Sequence, residues 1–121
     1  MDEIAATVTR TGLSEAFRQR NPAIEGLFRE LIASNDPSAY ADWAAATADA
    51  EMIEPDRVTC PVLACCGEHD PVAPREFAEA IGAAVPNGRV QVVRGAAHWC
   101  QIEAPEPVNE MLLSFLEEIA T

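Results

Sequence analysis

The segment from Cys60 to Val93 constrains this chain more than any other. Cys60-Pro61-Val62-Leu63-Ala64-Cys65-Cys66 is an unbroken apolar run that halts at Gly67, the pattern of a short strand buried on both faces and paired in parallel. Pro74 then opens a helix whose inner face is read as Phe77, Ala78, Ile81 and Val85, closed by Pro86-Asn87-Gly88. Arg89-Val90-Gln91-Val92-Val93 reads as a second strand. Strand, helix and strand in that order predict a right-handed βαβ unit and an α/β fold. A last helix is expected from Ala104-Pro105 onward, with Val108, Met111, Leu112, Phe115, Leu116 and Ile119 on one face.

Upstream the rhythm is helical. Met1 to Arg10 has weak helical character, and Ser14 is placed to cap a short turn over Glu15 to Gln19. Asn21-Pro22 and Asp36-Pro37 are each read as an N-cap followed by proline in the first turn, where its missing N–H costs nothing. The first of these helices presents Ile24, Leu27, Phe28, Leu31 and Ile32 on one face and ends near Asn35. The second presents Tyr40, Ala41, Ala44, Ala45 and Ala48, small enough for another helix to approach closely. The helical pattern fails from Glu51 to Thr59, so the chain divides into a helical segment (1–50), a connector (51–59) and a βαβα segment (60–121).

Composition removes several function classes. The chain is 49% hydrophobic, enough for a packed core, and carries a formal charge of −12 with only eight basic residues, all arginine. Nucleic-acid binding rests on clustered cations, so no such partner is expected. No apolar run approaches the roughly 18 residues of a membrane span, and the acidic start Met1-Asp2-Glu3 is unlike a signal peptide. A cytoplasmic location follows as the expectation. Cys60, Cys65, Cys66 and Cys100 supply no paired Cys-x-x-Cys hooks, so no metal site is expected; at least three of them are read as small buried hydrophobes kept reduced.

Chemistry in an open parallel sheet gathers at the carboxyl ends of the strands. Two polar loops fall there: Gly67-Glu68-His69-Asp70 after the first strand and Gly95-Ala96-Ala97-His98 after the second. A carboxylate beside a histidine fixes its tautomer and stabilises the imidazolium formed when it takes a proton from a nucleophile. Asp70 and His98 are the candidate catalytic pair, with Glu68 as the fallback acid and His69 an exposed loop residue. Trp99 and Trp43 are candidate substrate-pocket residues, each with core or cap packing as its alternative. Cys100, two residues past His98, is read as structural rather than as a surrogate nucleophile, because the loop would have to fold back on itself.

The motifs Cys60-Pro61-Val62-Leu63, Gly67-Glu68-His69-Asp70-Pro71-Val72-Ala73-Pro74, Val85-Pro86, Gly95-Ala96-Ala97-His98-Trp99 and Glu103-Ala104-Pro105-Glu106 resemble, in order and spacing, the C-terminal segment of the α/β-hydrolase family. The resemblance implies that Asp70 matches the triad acid, His98 the triad histidine, and Glu103 a position that supports the histidine loop. Residues 1–50 are similar to the family's helical cap, in particular to 3-oxoadipate enol-lactonase-like and haloperoxidase-like members, through Phe17-Arg18, Asn21-Pro22, Asn35-Asp36-Pro37 and Ala39-Tyr40.

The family's Gly-x-Ser-x-Gly nucleophile elbow has no counterpart here. Ser14, Ser34, Ser38 and Ser114 all fall in or beside predicted helices. The expectation is therefore the C-terminal part of a hydrolase of esters or lactones, needing no metal or organic cofactor, inactive alone, and carrying the acid and base of a Ser-Asp-His triad. Its unpaired sheet edge predicts a homodimer or association with a missing N-terminal half. A vestigial interaction domain and a carbon–carbon bond hydrolase of ring-fission products are the alternatives.

Overall fold

The computed structural model describes residues 1–51 and 54–120. Four helices come first: α1 (Asp2–Gly12), α2 (Glu15–Arg20), α3 (Pro22–Ala33) and α4 (Pro37–Ala48). A single 3-10 turn, Pro55–Arg57, marks the connector and leads to β1 (Val62–Gly67), α5 (Arg75–Ala84), β2 (Gly88–Val93), α6 (Cys100–Glu103) and α7 (Pro105–Ile119). β1 and β2 pair in parallel from Val62 against Gly88 to Gly67 against Val93, with α5 packed on both. The α/β reading and its two-stranded parallel sheet stand as expected.

Local signals explain the helix starts. Ser14 Oγ accepts from the Phe17 N–H (3.2 Å) and Asp36 Oδ1 from the Ala39 N–H (2.9 Å), each satisfying a donor that the first turn leaves free. Asn21 departs from its expected role. Its side-chain amide donates back to the Phe17 carbonyl (3.1 Å) and makes no cap bond to α3. The carbonyl end of α2 claims that amide first, and Pro22 alone pre-sets the next helix.

Two hydrophobic clusters hold the described residues. Val93, Ala96, Cys100, Val108 and Met111 form one beneath the strand ends, joined by Leu63 and Ala104. Leu13, Phe17 and Phe28 form the other among the first three helices, joined by Val8, Ile32, Trp99 and Ile102. Trp99 and Ile102 therefore link the βαβα segment to the helical one. Phe28 meets the Trp99 ring edge-on at 5.3 Å, a contact that adds about 1 kcal/mol to the burial of the two rings.

Several faces expected to be buried are not. Of the α3 stripe only Phe28 is buried, and Leu27 is 62% exposed; α4 buries nothing. On α5 Ala78 is buried while Phe77 and Ile81 are exposed, and on α7 Leu112, Leu116 and Ile119 remain exposed beyond Val108 and Met111. Cys65 and Cys60 are exposed too, so only Cys66 and Cys100 fit the buried-thiol reading. The physical reason is shared: a stripe is buried only by an opposing surface, and the described residues form a sheet of two strands with β1 unpaired on its far edge. Among the described residues no helix is long and apolar enough to cross a membrane.

Candidate active site

The loops leaving β1 and β2 are stitched together by their backbones. The Glu68 N–H donates to the Val93 carbonyl (2.9 Å) and the His69 N–H to the Ala96 carbonyl (2.9 Å). Gly67 is required at that seam, since a Cβ there would lie 2.0 Å from the Ala97 carbonyl oxygen. Gly95, at φ +71°, makes the left-handed turn that lifts the second loop off β2. Its N–H donates to Glu68 Oε2 (2.8 Å), which places Glu68 as a brace for that turn rather than as the acid facing His98.

Asp70 lies between two sets of donors. Its Oδ1 accepts from the Val72 and Ala73 N–H groups (2.8 and 2.9 Å), an Asx turn that leads toward α5. Its Oδ2 lies 2.9 Å from His98 Nδ1. The turn and the histidine contact thus use different oxygens of one carboxylate. Burial pushes the Asp70 carboxyl up, but hydrogen bonds from Ala73, His98 and Val72, with the charge of His98, together outweigh it and hold the group below the usual carboxylate range. The carboxylate side chain is 3% exposed and the imidazole 34%. The carboxylate is therefore locked in place while the imidazole reaches open space.

An ionised carboxylate only accepts, so the contact makes Nδ1 the protonated nitrogen of neutral His98 and leaves the Nε2 lone pair available. Nε2 makes no hydrogen bond among the described residues, and none of the four serines is bonded to it. His98 and Trp99 line a cavity of about 540 Å³ between the strand-end loops and the first, third and fourth helices. Tyr40, Trp43, Val72, Ile32 and Val8 supply most of its apolar wall. Both sequence-predicted tryptophans are there. Trp99 fills its two readings at once, packing on Phe28 and lining the cavity, whereas Trp43 stacks obliquely on Tyr40 at 5.5 Å.

Glu103 fastens the histidine loop to the helical segment. Its Oε1 accepts from the Ala97 N–H (3.0 Å) and the Ser14 N–H (2.9 Å), and its Oε2 accepts from the Ser14 hydroxyl. Next to this, the Trp99 N–H donates to the Gly12 carbonyl (3.0 Å), and a Cβ on Gly12 would meet the Trp99 indole at 2.4 Å. Sequence reasoning missed Gly12 altogether and saw in Ser14 only a helix cap. No spacing rule links residues about ninety positions apart.

The remaining candidates fall outside the pair. His69 is exposed and 3.9 Å from Glu68. Cys100 is buried in the first cluster with its sulfur directed at Gln101, and burial pushes its thiol up, away from the thiolate a nucleophile needs. Among the described residues no group of three or more histidine, cysteine or acidic side chains is arranged to hold a metal ion.

A carboxylate and an imidazole at adjacent parallel strand ends, with a helical layer over them, define the class: an α/β-hydrolase fold. The chain belongs to the family described as "TAP-like protein", which matches residues 28–120. It is similar to a thermophilic esterase from Thermogutta terrifontis, with a TM-score of 0.91 and 25% identity over 98% of this chain and 44% of that one. It shares the fold of an enol-lactonase from Burkholderia xenovorans LB400, with a TM-score of 0.88 and 22% identity over 97% of this chain and 45% of that one. In sequence it is 34% identical over 64 residues to "Putative carbamate hydrolase RutD" of Escherichia coli O81, a stretch covering 53% of this chain and 24% of that protein. The chain thus spans less than half the length of these solved structures.

Proposed function

We propose that this chain supplies the acid and base of a serine hydrolase acting on esters or lactones. Its residues 1–50 would serve as the cap over the substrate and residues 60–121 as the last part of the core. The observation that carries the reading is the 2.9 Å contact between Asp70 Oδ2 and His98 Nδ1 with the imidazole lining the cavity. In this reading His98 Nε2 takes the proton of a serine hydroxyl as it attacks the ester carbonyl, then returns it to the leaving alkoxide. Asp70 holds the imidazole in the productive tautomer and stabilises its cation. The serine and the oxyanion donors come from polypeptide outside these 121 residues, and no cofactor enters the reaction.

The exposed apolar faces of α5 and α7 and the unpaired edge of β1 support association with that polypeptide, or with a second copy of the chain. Four free thiols accord with a reducing compartment such as the cytoplasm. The test is turnover of a nitrophenyl ester by the chain assembled with a polypeptide carrying the Gly-x-Ser-x-Gly elbow. The chain alone should be inactive, the assembly active, and His98→Ala in the assembly at least about a thousandfold slower. Unchanged turnover in His98→Ala would remove the proposal.

A further inference from the structure

The cavity beside His98 has aromatic walls and no cation. Among the described residues that line it there is no arginine, aspartate or glutamate, although the chain holds eight arginines elsewhere. Its polar groups are largely spent on the protein itself. Thr11 donates its hydroxyl to the Thr7 carbonyl (2.9 Å), and the Asn35 amide donates to the carbonyls of Leu31 and Ile32 (both 3.0 Å). What remains toward a ligand are neutral donors: the Tyr40 hydroxyl and the Trp43 indole N–H, neither hydrogen-bonded among the described residues. Behind His98 stands the buried Asp70 carboxylate, and the whole chain carries a formal charge of −12.

We infer that this cavity selects an uncharged substrate portion with a flat apolar ring or short alkyl chain, and rejects one that bears a carboxylate. A carboxylate entering it would lose water to walls without arginine or lysine, where the one histidine is already paired with Asp70, within the field of an acidic protein. A ring, in contrast, gains edge and face contacts with Tyr40, Trp43 and Trp99, and a volume of about 540 Å³ suits a molecule of that size. This inference rests on the reading of the cavity as the substrate site. It narrows the substrate to neutral esters or lactones and excludes half-esters and lactones that keep a free carboxylate.

The chain provides its own reporter, because both of its tryptophans line the cavity. Its fluorescence is titrated with 4-phenyl-2-butanone, which has a ring and carbonyl but no bond to hydrolyse, and with 3-phenylpropanoate, nearly the same shape with a carboxylate. The ketone should bind at least about tenfold more tightly than the carboxylate. Ala39→Arg, which puts a cation on the cavity wall at an exposed helix position, should shrink or reverse that preference. Tyr40→Ala should weaken the ketone several-fold. Equal or tighter binding of the carboxylate by the unaltered chain would overturn the inference, as would saturable binding of neither probe. None of these readouts needs turnover, so an inactive assembly would remove the hydrolase reading alone, and preferred carboxylate binding with an active assembly would remove this one alone.

Discussion

The strand-end loops and the outer helix faces of this molecule are built by different rules. At the loops, Asp70, Glu68 and Glu103 each accept two or more hydrogen bonds or brace a turn, Gly67 stands where any side chain would collide, and Gly95 takes the left-handed turn. On the outer faces of α3, α5 and α7 large apolar side chains such as Leu27, Phe77 and Leu113 are exposed. The site is thus specified by atoms within these residues, whereas the flanks are specified only up to a pattern that awaits a surface. The contrast predicts that equal changes in the two regions carry very unequal costs.

The largest cost is expected at Gly67. Gly67→Ala places a methyl against two backbone carbonyls, and backbone cannot swing aside as a side chain can. A loss of about 3 kcal/mol in urea unfolding is expected, or failure to fold. Glu103→Ala comes next. It strips the Ala97 and Ser14 N–H groups and the Ser14 hydroxyl of their acceptor and should cost about 2 kcal/mol by the same measurement.

Asp70→Asn should cost about 1.5 kcal/mol near neutral pH, since the amide can keep the Asx turn but loses the charged partner of His98. Its pH dependence is the sharper reading. The folded Asp70 carboxyl lies below its ordinary value of about 3.9, so its stabilisation is complete above that value and disappears as pH falls through the folded one. Unfolding free energies of wild type and Asp70→Asn should therefore converge below about pH 4. Curves that stay parallel would mean the carboxylate is not held by these bonds.

The smallest effect belongs to the flank. Leu113 is 59% exposed on α7, and Leu113→Gln should change the stability of the isolated chain by less than about 0.5 kcal/mol. A loss comparable to that at Glu103 would break the comparison by showing that the face is already covered, and a concentration-dependent unfolding midpoint would identify a second copy as the cover.

What could be read from the sequence follows the same division. The βαβ order, the helix starts at Ser14 and Asp36, and the juxtaposition of Asp70 with His98 were legible, because periodicity, caps and strand-end loops are local signals with short physical reach. Burial of Phe77, Ile81, Leu27 and Leu116 was misjudged from equally clear periodicity, since the pattern reports which side is apolar but not what lies opposite. The Glu103–Ser14 bonds and the Gly12–Trp99 contact were illegible for another reason. They depend on how two remote segments dock, and one serine cap looks the same in sequence whether or not its hydroxyl also reaches a distant carboxylate.

His98 is held by Asp70 through Nδ1, which makes Nε2 its free basic nitrogen. Nitrogen-15 NMR of the imidazoles tests this directly, since the chain has two histidines and His69→Gln assigns them. In the neutral form His98 should carry its proton on Nδ1, with the Nε2 resonance in the unprotonated range, and Asp70→Ala should abolish that preference. A His98 with its proton on Nε2 in the unaltered chain would contradict the account.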